Sequence, residues 1–265
     1  AYNNRGNVLF EMKRYTEAIN SYEYALLKDD KYLDSYFNLA QLYIELKDFQ
    51  KAIFYLKRLF NINSKYNFLI DDLLHSKMYI CDWDDYHTLL NLLKESILSN
   101  KSIHRPFSIF SFFDNPALQK LVSENYVKHN FLQKVNSFDF KLKKENKKIC
   151  LGYFSSDFGE HPVGKLTEEM FQNHDKNQFE LIGFYHGFEK NDKTLNATKK
   201  IFDKFININN MSDLEIIELS RSLKIDIAIN LNGYTKNHVT KAFSYRLAPL
   251  QVNFLGYPGT LGTKY

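Results

Sequence analysis

The stretch Ile149-Cys150-Leu151-Gly152-Tyr153-Phe154-Ser155-Ser156-Asp157-Phe158-Gly159-Glu160-His161-Pro162 decides how the second half of the chain is read. It opens with a short apolar and aromatic run, passes into a polar loop, and meets a proline where a helix begins. Proline at the first helical position has nothing to lose, because its missing N–H would have no partner there anyway. The pattern is a buried strand, a loop and the mouth of a helix.

Working downstream, the same alternation recurs. Strand-like runs at Ile149 to Phe154, Phe179 to Tyr185, Phe205 to Ile208, Asp226 to Leu231 and Gln251 to Leu255 alternate with amphipathic stretches near 163 to 174, 192 to 201, 211 to 223 and 237 to 245. Alternation of this kind predicts a mostly parallel sheet covered by helices, an α/β Rossmann-like domain over residues 149 to 265.

Upstream, the N-terminal third is self-similar at a shift of 34 residues. Tyr2 falls on Tyr36, Gly6 on Ala40, Tyr15 on Phe49, Ala18 on Ala52 and Ile19 on Ile53. That is the tetratricopeptide period, and the matched types have a physical reason. Small residues at Gly6, Ala18, Ala40 and Ala52 let antiparallel helices approach, while Tyr15, Phe49 and Tyr22 fill the space between pairs. Asp30 and Ser64 stand where the repeat usually carries proline.

Residues 66 to 98 continue helically with a fading signature, as a capping repeat does. Tyr22, Tyr24, Tyr36, Phe37, Tyr43, Phe54 and Tyr55 read as packing residues rather than a ligand site. The chain therefore divides into α-superhelical repeats over 1 to 98, a connecting region over 99 to 148, and the α/β domain. The connector carries one helix near 116 to 131, and its apolar residues Phe107, Ile109, Phe110, Phe112 and Phe113 are expected to pack against the downstream part of the chain.

The 265 residues contain 44% hydrophobic and 25% charged residues, with only 10 Gly and 5 Pro, which excludes disordered and collagen-like classes. No apolar run approaches the roughly 18 residues that cross a bilayer, and no membrane partner is expected. The net charge of +4 sits in one place. Removing the five lysines and single glutamate of Lys141 to Lys148 from the 35 basic and 31 acidic side chains leaves 30 of each. A solvated connector explains this excess, and no nucleic-acid partner is expected. Cys81 and Cys150, the only cysteines, offer neither a disulfide scaffold nor paired zinc-ligand spacing, which points to a reducing, cytoplasmic setting.

In an open parallel sheet, ligands bind where loops leave the carboxyl ends of the strands. Three such loops are polar or glycine-bearing: Ser155 to Pro162, Asn232-Gly233-Tyr234-Thr235, and Gly256-Tyr257-Pro258-Gly259-Thr260. His161 stands at a helix mouth, where a neutral imidazole can meet a polar ligand. His75, His87, His104, His129, His174, His186 and His238 form no metal-ligand spacing. The glycine cluster that wraps a pyrophosphate is missing, as are a Walker loop and a Gly-x-Ser-x-Gly elbow.

Taken in order, the repeats, Ile80-Cys81-Asp82-Trp83, the Gly152 to Pro162 stretch, Asn232 to Lys236, Arg246-Leu247-Ala248-Pro249-Leu250-Gln251 and Leu255 to Thr260 resemble the protein O-GlcNAc transferases and their SPINDLY-type relatives. The resemblance implies half of a glycosyltransferase B fold, in which two Rossmann-like domains face one another across a cleft. It implies inverting transfer of N-acetylglucosamine from UDP-GlcNAc to serine or threonine hydroxyls, with the nucleotide held mainly by the second domain and no metal or other cofactor. Acceptor proteins or peptides would be held by the repeat surface.

His161 is implied as the active-site histidine, either general base or positioning group. Asn232, Tyr234, Thr235, Pro258, Gly259 and Thr260 fall in segments implied to line the sugar and acceptor side. The sequence departs from many bacterial relatives, which carry an acidic residue at the place of Asn230 and a histidine at that of Tyr234. An amide and an ordinary phenol are not bases near neutral pH, so proton transfer falls to His161, water or the donor phosphate. Transfer of fucose from GDP-fucose, transfer of hexose to asparagine, and a non-catalytic repeat scaffold are the alternatives. The chain starts with Ala1 and stops in a Gly-rich turn, and is expected to be a truncated piece, inactive alone.

Overall fold

The computed structural model describes residues 1–131, 148–187 and 192–263. Two compact units are present, Ala1–Asn125 and Tyr126–Tyr265.

The first unit is built from helices α1 (Tyr2–Glu11), α2 (Tyr15–Lys28), α3 (Leu33–Glu45), α4 (Phe49–Ile62), α5 (Leu69–Tyr79) and α6 (Tyr86–Ser99). Successive helices pack as pairs. Gly6 lies directly against the ring of Tyr22, where even a methyl group would collide. Ala18, Ala40 and Ala52 are completely buried at the other close approaches.

The 34-residue period is written into the backbone as well. Lys13, Lys47 and Cys81 all adopt left-handed φ values, 59°, 60° and 55°. At the following residue, Arg14, Asp48 and Asp82 each donate a backbone N–H to the carbonyl five residues back, on Leu9, Tyr43 and Lys77. The third pair thus keeps the repeat's turn where its side-chain signature has faded.

Motif residue Asp82 has a further duty in this turn. Its carboxylate accepts from the buried Lys77 ammonium at 2.7 Å.

The aromatic reading holds in part. Tyr22 and Tyr43 are buried, but Tyr24 and Phe54 lie on the outside under Lys28 and Arg58. The connector differs from expectation. Ile109 and Phe112, beside the 3₁₀ turn Ser108–Ser111, join a core with Leu56, Leu59, Leu69, Leu73 and Leu93, so they pack against the helices that precede them. Ile109, Phe112 and Phe113 cover the apolar flank of those helices, while Phe107 stays exposed. Leu118 and Val122 of α7 (Pro116–Asn130) share that core. Lys141 to Lys147, the bulk of the basic run, lie outside the described residues.

The second unit holds five parallel strands in the order β3-β2-β1-β4-β5: β1 (Ile149–Ser155), β2 (Phe179–Tyr185), β3 (Lys204–Asn207), β4 (Ile227–Asn230) and β5 (Leu250–Asn253). Helices α8 (Pro162–Gln172), α9 (Lys193–Lys199), α10 (Asp213–Ser222) and α11 (Thr240–Phe243) alternate with them. The helix expected over 237 to 245 shrinks to the single turn α11, because Asn237 (φ 61°) and Arg246 (φ 62°) are left-handed and break it at both sides.

Side chains that alternate along a strand face opposite sides of a sheet. Phe154, Ile182, Phe184 and Ala228 accordingly meet α10 and α11 through Ile216, Ile217 and Phe243. Leu151, Tyr153, Leu181 and Ile229 meet α8 and α9 through Val163, Phe171 and Leu195. With both faces covered, the inner strands β1 and β2 are buried over most of their length, while the edge strands β3 and β5 stay half-exposed. Among the described residues no helix is long and apolar enough to cross a membrane.

Candidate active site

Parallel strands bring their carboxyl ends to one edge, and the loops after β1, β4 and β5 are neighbours there because β1, β4 and β5 are consecutive in the sheet. Asn232 stitches the first two. It is fully buried; its Oδ1 accepts from the Ser156 amide at 2.9 Å, and its Nδ2 lies 2.6 Å from Asp157 Oδ2, 2.9 Å from Ser156 Oγ and 3.2 Å from Thr235 Oγ1. Asn230 shapes the same loop from inside. Its Oδ1 accepts from the amides of Asn232 and Gly233, both at 3.0 Å, and its Nδ2 donates to Thr240 Oγ1 at 3.1 Å.

Tyr234 ties the second loop to the third. Its hydroxyl donates to the Leu261 carbonyl at 2.6 Å, and its ring is buried among Tyr126, Phe131, His238 and Tyr257. Gly256 is required where it stands, since a side chain there would strike the Leu231 carbonyl. The Arg246 to Gln251 motif is likewise internal scaffolding. Arg246 donates to the Pro249 carbonyl at 2.8 Å, while Gln251 accepts from the Leu247 amide at 2.8 Å and donates to the Phe243 carbonyl at 3.0 Å.

His161 is different. It precedes α8 as its N-cap, with an extended backbone and a half-exposed ring. The ring's Nδ1 accepts from the Val163 amide at 3.2 Å, so the helix's free N–H groups fix which nitrogen holds a lone pair. In the neutral ring the proton is then on Nε2. Gly164 lets α8 close onto the loop, lying against the carbonyls of Asp157 and Gly159 with no room for a side chain.

His161 opens on a cavity of about 640 Å³, lined also by Asp157, Glu160, Tyr185, Gly187, Asp192, Lys193 and Asn237. Gly259 and Thr260 line a separate cavity of about 280 Å³ with Thr240, Ser244 and Asn253. The six loop residues expected to bind substrate are therefore distributed. Asn232 and Tyr234 are interior, Thr235 is half-buried with its hydroxyl donating to the Asn232 carbonyl at 2.9 Å, Pro258 is exposed, and Gly259 and Thr260 edge the second cavity.

The end of β2, which the three candidate loops leave out, contributes Tyr185, Gly187 and the segment Asp192 to Thr194 to the larger cavity. The carboxyl-edge rule could have found them, since β2 flanks β1. Asp192 caps α9 by accepting from the Leu195 amide at 3.1 Å and reaches across to the Glu160 amide at 2.7 Å. Glu160 in turn pairs with Lys165 and accepts from Thr194 at 2.9 Å, and these bonds lower its pKa. Burial pushes His186 and His238 down to about 4, which keeps both rings neutral. No group of three or more His, Cys, Asp or Glu side chains among the described residues has the spacing to hold a metal.

Helix pairs at a 34-residue period followed by a parallel sheet with helices on both faces, and polar loops gathered at one edge, define the class: a repeat array joined to a Rossmann-like α/β domain. Residues 80–265, well over half of the chain, match Glycosyl transferase family 41, and residues 9–67 match a tetratricopeptide repeat family. The chain belongs to glycosyl transferase family 41.

Among its relatives, the probable UDP-N-acetylglucosamine–peptide N-acetylglucosaminyltransferase SEC of Arabidopsis thaliana is 30% identical over 209 residues, covering 73% of this chain and 21% of the relative. The UDP-N-acetylglucosamine–peptide N-acetylglucosaminyltransferase of Caenorhabditis elegans is 28% identical over 205 residues, covering 70% of this chain and 18% of the relative. The chain thus spans about a fifth of the length of these curated relatives. A solved O-GlcNAc transferase mutant of Thermobaculum terrenum shares the fold with a TM-score of 0.69 at 18% identity, over 98% of this chain and 51% of that one.

Proposed function

We propose that this chain carries the repeat array and the N-terminal half of the cleft of an enzyme that moves N-acetylglucosamine from UDP-GlcNAc to serine or threonine hydroxyls, inverting the anomeric centre. The observation that carries the reading is His161. Its ring has Nδ1 fixed by the helix and Nε2 available at the larger cavity, in a chain whose family relatives bear peptide N-acetylglucosaminyltransferase names.

Displacement at the anomeric carbon needs the hydroxyl held in line, its proton managed, and the leaving diphosphate stabilised. Holding and proton management fall to His161 and the loops around it. Asn232 and Tyr234 serve from inside, by fixing the loops against one another, and Gly259 and Thr260 supply the sugar-side edge. The diphosphate belongs to basic groups of a second domain, without a metal in the chemical step. The helical pairs hold the acceptor polypeptide. A chain with only two cysteines, Cys81 and Cys150, suits a reducing, cytoplasmic compartment.

The test is turnover in the full-length enzyme with UDP-GlcNAc and an acceptor peptide. His161→Ala is expected to lower kcat by about 10²-fold or more, the range for losing a general acid–base group, while UDP binding persists. Wild-type turnover in that variant would sink the assignment.

A further inference from the structure

We propose that Asp157, held in place by Asn232, is a positioning residue that converts His161 from a hydrogen-bond donor into a proton acceptor. The proposal rests on the functional reading above.

In the arrangement described, Nδ1 accepts from the Val163 amide, so Nε2 carries the proton and can only donate. To take a proton at Nε2 the ring must carry its other proton on Nδ1, and an Nδ1–H needs an acceptor. The Val163 amide cannot be one. Asp157 can: its Oδ2 lies 3.9 Å from Nδ1, about one ångström beyond a charge-assisted hydrogen bond.

Asp157 is also held more firmly than the histidine it faces. Its Oδ2 accepts from Asn232 Nδ2 at 2.6 Å, and its own amide donates to Ser155 Oγ at 2.9 Å. Its side chain is 22% exposed against 47% for His161, so the ring is the partner free to turn. Other charged or titratable groups share the cavity with the ring. Glu160 pairs with Lys165, Asp192 accepts from the amides of Glu160 and Leu195, and Lys193 and Tyr185 line the same cavity. Among the described residues, Asp157 supplies the ion-pair contact to His161.

A small rotation of the ring would exchange the cap on α8 for the carboxylate. In the reaction the acceptor oxygen bonds to the anomeric carbon as the bond from that carbon to the diphosphate oxygen breaks. The leaving group keeps the bonding pair, the hydroxyl proton passes to Nε2, and the resulting imidazolium faces Asp157 until it releases the proton to solvent.

The experiment uses the full-length enzyme, UDP-GlcNAc and an acceptor peptide. Asp157→Asn keeps an oxygen for Asn232 to bond and removes only the charge. It is expected to lower kcat at least about tenfold, to leave KM for the donor within about twofold, and to move the acidic limb of the kcat/KM profile toward lower pH. Asp157→Glu should restore part of the rate.

His161→Gln, whose amide can donate but cannot accept a proton, should be as inactive as His161→Ala. This second variant reads the same switch without touching the loop clamp. Wild-type kcat and an unshifted profile in Asp157→Asn, or near wild-type turnover in His161→Gln, would overturn the proposal while a dead His161→Ala left the functional reading standing. An active His161→Ala would overturn that reading itself.

Discussion

Asn232 offers the most decisive single perturbation of the α/β unit. The side chain is fully buried, and it accepts from one backbone amide while donating toward a carboxylate. Truncation to alanine leaves the Ser156 amide without its partner, a loss of about 1 kcal/mol for a neutral bond, and removes a hydrogen bond to the charged Asp157, about 1.5–3 kcal/mol. Together they predict about 3 kcal/mol. For a unit of this size each kcal/mol lowers the melting temperature by about 3–5 °C, so a fall on the order of 10 °C is expected.

Asn232→Asp should be worse still, although its shape is unchanged. The substitution replaces the donor that approaches Asp157 at 2.6 Å with a second carboxylate, and two like charges at that distance cannot both stay ionised. Calorimetry, with amide hydrogen exchange to assign the transition to the α/β unit, is the measurement. Asn232→Ala melting within about 2 °C of the wild type, or Asn232→Asp proving the more stable of the two, would refute the view that Asn232 is the clamp between the first and fourth strand loops.

Three further outcomes concern separate parts of the molecule. Asp82→Ala should destabilise the helical unit, because it strands the buried Lys77 ammonium, and a Lys77→Met/Asp82→Ala double variant should recover most of the loss; melting followed by Trp83 fluorescence compares them. His186 and His238 have folded-state pKa values near 4, below the ordinary 6.5, so the unfolded chain binds more protons between those limits. Their contribution to stability is complete above about pH 6.5 and declines as pH falls toward 4, and replacing both with Asn or Gln should flatten that part of a stability–pH curve. Turnover of the full-length enzyme should survive exhaustive treatment with EDTA; a loss restored by a divalent cation would contradict the proposed metal-free step.

How much of this was legible beforehand depends on the range of the interactions concerned. The 34-residue period is visible because close helix contacts demand small residues at fixed local spacing, as at Gly6 and Ala40. The third turn of the period escaped, since Cys81 repeats the backbone of Lys13 and Lys47 but not their chemistry. The place of His161 at a helix mouth was legible because a cap acts on its own helix, through Val163 two residues away. The duty of Asn232 was not, since its partners Ser156 and Asp157 are 76 and 75 residues distant.

By itself, the sequence determined the alternation of strands and helices, the repeat, and the set of loops that carry polar and glycine residues. Each of these arises from local periodicity and backbone preference. The tertiary structure decided which residues line a cavity and which hold the frame. Strand order placed the β1 loop between those of β2 and β4, which put Tyr185 and Lys193 beside His161, and burial turned Asn232 and Tyr234 inward. Strand order and burial arise from contacts between segments far apart in the chain, and no local pattern encodes them.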